Sequence, residues 1–181
     1  MKVFIETDRF LLREIELSDV DGMFALDSDP EVHQFLGNKP IKSKEEALET
    51  IQFIRQQYID LGIGRWAIID KKSNDFVGWA GLKLMTEPVN NHQNFYDIGY
   101  RLRKEYWGKG IATECAKAIV QYAFNELNLK EIFAMADTDN EGSNKILQKI
   151  GMQFVAPFEA FDIQQNWYQL TKENFQKLKQ E

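Results

Sequence analysis

Cysteine is almost missing from this chain: Cys115 is the only one, so no intrachain disulfide can form. Histidine is scarce too, and His33 and His92 stand too far apart to suggest metal-ligand spacing, so no metal is expected. Positive charge is in deficit, with 22 Lys and Arg against 28 Asp and Glu, a net charge of −6 and a pI near 5.1. That balance argues against a nucleic-acid partner, because phosphate contacts require clustered cations. No apolar run approaches the ~20 residues of a membrane span. The opening Met1-Lys2-Val3-Phe4 reaches Glu6 and Asp8 at once, unlike a signal peptide. A cytoplasmic protein with no membrane partner is expected. Four prolines and eleven glycines form no rich run, and no repeat or low-complexity tract breaks the chain. One domain over residues 1–181 is therefore expected, and its 44% hydrophobic and 28% charged residues are ordinary globular usage.

The pattern of what is present alternates between two periods. Phe10-Leu11-Leu12-Arg13-Glu14-Ile15 reads as a strand, and Ser18-Asp19-Val20-Asp21 as a capped helix start. Ser43-Lys44-Glu45-Glu46 is a clearer capping box, followed by Ala47, Ile51, Ile54, Tyr58 and Leu61 on one helical face, with Gly62 as terminator. Trp66-Ala67-Ile68-Ile69 and Phe76-Val77-Gly78-Trp79 flank a polar turn, which predicts a hairpin. Tyr96, Ile98, Tyr100 and Leu102 alternate with Asp97, Gly99, Arg101 and Arg103, giving a strand with one apolar and one polar face. Ala112, Ala116, Ile119, Ala123 and Leu127 restore helical spacing; residues 132–136 read as a strand and 140–150 as a helix stopped by Gly151. Residues 153–161 and 166–170 supply a final strand pair. Such an order implies an α+β sheet flanked by helices.

Tyr106-Trp107-Gly108-Lys109-Gly110-Ile111-Ala112-Thr113 joins strand to helix. The glycines let a ligand approach the main chain, and the helix start offers unpaired N–H groups and a partial positive charge. A phosphate or pyrophosphate fits there. On these residues alone the loop stays open between an anion cradle and a purely local turn. A P-loop is excluded, since no G-x-x-x-x-G-K-[ST] string exists. A dinucleotide fingerprint is disfavoured as well: Thr113 stands where a third small residue belongs, and Asp97, Arg101 and Arg103 interrupt the apolar run of a doubly buried strand.

Glu105-Tyr106-Trp107-Gly108-Lys109-Gly110 resembles the acyl-CoA pyrophosphate motif Q/R-x-x-G-x-G/A of the GNAT N-acetyltransferases. Further pieces resemble the RimJ/RimL-type branch: Glu6-Thr7-Asp8-Arg9-Phe10-Leu11-Leu12-Arg13, Ile98-Gly99-Tyr100-Arg101-Leu102, Asn140-Glu141-Gly142-Ser143-Asn144 and Trp167-Tyr168-Gln169-Leu170-Thr171. The resemblance spans nearly the whole chain in order. It departs at Glu105, a carboxylate in the Gln/Arg position, which is expected to point away from the phosphates.

The resemblance implies a GNAT-like fold: a mostly antiparallel mixed sheet of about seven strands, splayed beside the fourth, residues 96–102. It implies acetyl-CoA as co-substrate and an amine acceptor attacked directly, without an acyl-enzyme. The main chain of Leu102 and Arg103 would bond the pantetheine, and Gly108, Lys109, Gly110, Ile111, Ala112 and Thr113 would hold the pyrophosphate. Asn140 and Ser143 would lie near the thioester, Ser143 on the proton-donating side, while Asn140 also suits a helix N-cap. Asp97 is either a base acting through water or a residue that solvates its strand or pairs with an arginine. Glu159, Asp162 and Tyr168 are further proton-transfer candidates. Cys115 reads as a small core residue, Trp107 as packing for the loop, and His33 and His92 as surface loop residues. The acceptor surface is assigned to residues 29–58 and 87–95. A non-catalytic acyl-CoA-binding module is the rival function, and either a monomer or a homodimer is compatible with the chain.

Overall fold

The computed structural model describes residues 2–180. Among the described residues eight strands form one sheet in the order β1-β2-β3-β4-β5-β6-β8-β7. They are β1 (Val3–Glu6), β2 (Phe10–Glu14), β3 (Arg65–Asp70), β4 (Phe76–Met85), β5 (Phe95–Leu102), β6 (Glu131–Asp137), β7 (Gln153–Ala160) and β8 (Ile163–Thr171). Every pairing is antiparallel except β5 with β6, which is parallel. The eighth strand is β1, four residues of which only Ile5 is buried, too short to show a period.

The helices are α1 (Val20–Asp27), α2 (Lys44–Leu61), α3 (Ile111–Asn125), α4 (Glu141–Lys149) and α5 (Lys172–Leu178). α2 follows the sequence reading closely. Ser43 accepts a bond from the Glu46 amide, Gly62 turns left-handed at φ 71°, and Ala47, Ile51 and Ile54 are buried. The start before α1 is different: Glu16 and Asp19, not Ser18 and Asp21, form the reciprocal box. Asp19 also takes a bidentate grip from Arg13, both bonds at 2.7 Å, so a buried ion pair fixes the register of this turn. Leu127 lies beyond α3. α5 was not expected, because Phe175 is its one buried residue; it stacks on Phe124 of α3 at 4.8 Å.

Apolar side chains fill both faces of the sheet. Ile98 and Leu102 of β5 join Ile111, Ala116, Ile119, Ala123, Leu147 and Phe175 on the face covered by α3, α4 and α5. Met23, Leu26, Ala47, Ile51 and Ile54 meet Ala67, Ile69 and Phe76 on the face covered by α1 and α2. Cys115 is fully buried in the first of these cores, as expected, and burial pushes its thiol up to about 12.

Candidate active site

The parallel ladder between β5 and β6 has a single rung, Asp97 opposite Phe133. Towards the C-terminal ends of both strands the sheet therefore opens into a gap. The Arg103 amide donates to Val77 O on β4 at 2.9 Å. Strand alternation then turns the peptide groups of Tyr100 and Leu102 to the gap. The expectation for Arg103 is not met: its N–H serves Val77 and its carbonyl accepts from the Tyr106 amide at 3.0 Å, so neither faces the gap free. Leu102 keeps its N–H available, while its carbonyl takes the Trp107 indole N–H at 2.9 Å. Trp107 thus fastens the loop to the strand, as its position suggested.

Beyond a short 3-10 turn, Lys104–Tyr106, the chain reaches Gly108 at φ 70° and Gly110 at φ 72°. These left-handed angles favour glycine. The other helix starts with a side-chain cap use Ser43 for α2, Asn140 for α4 and Thr171 for α5. α3 instead begins at Gly110, which has no side chain to cap it. None of the six amides from Gly108 to Thr113 donates to an acceptor among the described residues. Unpaired N–H groups at the positive end of a helix dipole favour an anion. Arg9 braces this arrangement: its Nε meets Glu114 Oε2 at 2.7 Å and its Nη1 donates to Lys109 O at 3.1 Å. Burial raises the Glu114 carboxyl, but hydrogen bonds from Thr7 and Arg9 bring it below its ordinary value. The Glu105 carboxylate is paired with Arg103 Nη2 at 2.5 Å and accepts from none of the loop amides.

On the α4 side of the gap two hydroxyls meet. Tyr100 Oη donates to Ser143 O at 3.1 Å and lies 3.0 Å from Ser143 Oγ. Burial raises the Tyr100 phenol, partly offset by the bond to Ser143. Asn140 Oδ1 accepts from the Ser143 amide at 3.1 Å, so it is the N-cap that sets Ser143 in place. Asn144 extends the network, accepting from Tyr168 Oη at 2.6 Å and Asn166 Nδ2 at 2.9 Å. Tyr168 is thereby tied to Asn144, with its phenol raised by burial.

Asp97 faces the opposite side of the sheet. It is buried and held by Arg65 Nη2 at 2.5 Å, while Arg65 Nη1 donates to the main-chain oxygens of Gly81 and Asp97 at 2.6 and 2.7 Å. Gly99 leaves room for this guanidinium, since a Cβ there would stand 2.8 Å from Arg65 Nη2. Burial raises the Asp97 carboxyl; Arg65, then Lys83, pull it back. Farther along this face Arg101 Nη1 meets buried Asp27 at 2.6 Å, and Asp27 lies 3.3 Å from His33 Nε2. His33 is consequently buried, not a surface residue, and the aspartate partner in α1 is the reason. His92 is half-buried against Phe133 and Trp167. Glu159 and Asp162 sit exposed at the tip of the β7–β8 hairpin, Glu159 bonded to Gln164.

Tyr100, Arg9 and Arg65 carry roles that sequence reasoning missed. Tyr100 counted only as an apolar-face residue, and Arg65 directly precedes a strand core. No helix of the described residues is long and apolar enough to cross a membrane, and no cluster of three metal-ligating side chains occurs among them.

Comparison with known proteins matches residues 9–153 to the Acetyltransferase (GNAT) domain. The uncharacterized N-acetyltransferase YoaA of Bacillus subtilis is 34% identical over 149 residues, 82% of each chain. A GNAT-family acetyltransferase from Bacillus anthracis has a similar fold, with a TM-score of 0.77, 24% identity and coverage of 94% of this chain and 99% of that one. RimL, a ribosomal alpha-N-protein acetyltransferase in complex with coenzyme A, aligns with a TM-score of 0.78 and 18% identity over 94% of this chain and 98% of its own.

Proposed function

The chain belongs to the GNAT acetyltransferase family, and from that premise we propose that it moves the acetyl group of acetyl-CoA to a primary amine by direct attack, without an acyl-enzyme. The observation that carries this reading is the uncapped start of α3 beside the β5–β6 gap, six unpaired amides next to strands joined by a single rung. Residues 108–113 hold the pyrophosphate, with Lys109 as a mobile cation. The gap-facing peptide group of Tyr100 and the free N–H of Leu102 hold the pantetheine in the manner of a strand. Likeness to a coenzyme A-bound structure supports that pose, and a RimJ/RimL-type branch is in keeping with the same neighbour.

The amine must lose a proton, and the departing thiolate gains from receiving one. The two faces of β5 divide this work. Tyr100 and Ser143 stand on the α4 face, where a hydroxyl donates to the sulfur as the C–S bond breaks. Asp97 stands on the α1/α2 face, from which the amine approaches and forms its C–N bond. Held by Arg65, it takes the amine proton through water or orients the water that does. No nucleophile is required, and buried Cys115 with its raised thiol is unsuited to the role. The paired hydroxyls at the gap favour turnover over a binding-only module. Thermal unfolding with and without millimolar acetyl-CoA, followed by a thiol-release screen over peptides, polyamines and amino acids, tests the proposal. Stabilisation and release from at least one amine are expected; no stabilisation would sink it.

A further inference from the structure

Lys83 stands apart among the lysines. Most of the others are exposed, and Lys172, the other half-buried one, bonds Asn128 Oδ1. Lys83 is half-buried yet makes no hydrogen bond or ion pair among the described residues; its ammonium lies only 5.8 Å from the centre of the Phe53 ring. Removing a cation from water without a partner is unfavourable, and here burial, then Arg65, lowers its proton affinity. Asp97, the carboxylate that favours its charged form, is already taken by Arg65.

Lys83 lines a cavity of about 370 Å³ between α2 and the end of β4, shared with Phe53, Gln57, Asp60, Met85 and Glu87. Asp60 and Glu87 are exposed on its rim, and Asp60 is bonded by Gln56 Nε2 at 2.8 Å. Lys83 is directly opposite Asp97 in the β4–β5 register, and Asp97 is the rung that closes the β5–β6 gap. Lys83 therefore stands one strand spacing, about 5 Å, from the closed end of the gap, on the face from which the amine approaches.

We propose that Lys83 and the cavity it lines bind a carboxylate of the acceptor, so that the substrate is an amine carrying an anionic group a few bonds away. This rests on the acetyltransferase reading above. The carboxylate completes the missing ion pair, anchors the acceptor and presents its amine at the gap. A small amino acid or an acidic polypeptide N-terminus offers the same chemistry.

The experiment compares thiol release from 4-aminobutyrate and 6-aminohexanoate with that from butylamine and hexylamine. A second arm compares short peptides bearing Glu or Gln at their second position. The carboxylate-bearing member of at least one arm is expected to have a kcat/KM tenfold or more above its partner, and the arm that discriminates identifies the source. In Lys83→Met that ratio falls towards one through KM, while KM for acetyl-CoA stays unchanged. Loss of the Lys83 charge from beside Asp97 shifts the rates of both members of a pair alike and leaves the ratio as the readout. Lys83→Arg keeps most of the preference. With coenzyme A bound, 6-aminohexanoate or the Glu peptide raises the melting temperature of the parent protein and not of Lys83→Met, a readout free of turnover. Equal use of both members in both arms, or a preference that survives in Lys83→Met, overturns the subsite alone. Silence of every amine together with no stabilisation by acetyl-CoA overturns the transferase reading instead.

Discussion

Two helices begin beside the same gap, and they begin in opposite ways. α4 is closed: Asn140 caps it and its first turn delivers Ser143 to Tyr100. α3 is open: Gly110 offers no cap and its amides stay unpaired. A cap is worth about 1 kcal/mol, so omitting one costs stability unless an outside anion completes the helix. The open start is thus built to bind and the closed start to position. The two should fail differently when altered.

The largest effect should come from closing the open start. Gly110→Asp puts a carboxylate among the amides, and space exists, since the nearest atom to a Cβ there is Arg9 Nη2 at 3.8 Å. Affinity for acetyl-CoA, measured by calorimetry, should fall about 100-fold, near 2.8 kcal/mol. Gly110→Asn, which tolerates a left-handed backbone and carries no charge, should lose much less. Equal losses would mean that shape, not charge, governs the loop.

Next come the hydroxyls of the closed start. Tyr100→Phe and Ser143→Ala should each lower kcat by about tenfold or more with little change in KM for acetyl-CoA, because they act on the departing sulfur. The double variant should lose less than the product of the two, since one hydrogen bond joins them. A rise in KM with kcat intact would move both residues from proton transfer to cofactor binding.

How much of this was legible follows from how local each signal is. The loop, its glycines and the Asn140 cap are encoded within a few neighbouring residues, so they could be read directly. The family and the fold followed from the order of such pieces. β1 and α5 escaped because each buries one side chain, and one anchor makes no period. The pairing of Tyr100 with Ser143 spans 43 positions and that of Arg9 with Glu114 spans 105, distances over which no spacing rule operates. Arg103 was misplaced for a subtler reason. One residue of strand alternation decides whether a peptide group faces β4 or the gap, and the sequence pattern sets side-chain faces, not the hydrogen-bonding edge.

A smaller effect is expected at the cap itself. Asn140→Ala should lower stability by about 1 kcal/mol in denaturant unfolding, with acetyl-CoA affinity held within about threefold. A loss as large as that of Gly110→Asp would show that the closed start also binds, and the contrast between the two helices would fail.

The smallest effect should come from Glu105, the residue that departs from the family motif. Its carboxylate is paired with Arg103 on an exposed surface and is 55% accessible. Exposed pairs contribute about 0–1 kcal/mol, and salt screens what remains. Glu105→Gln should therefore change acetyl-CoA affinity by less than about twofold at physiological ionic strength. A gain nearer tenfold, fading as salt is added, would show that the carboxylate repels the pyrophosphate and that Arg103 shields it only partly. The open start of α3 would then be an anion site with its affinity deliberately reduced, and the comparison with α4 would need charge added to geometry.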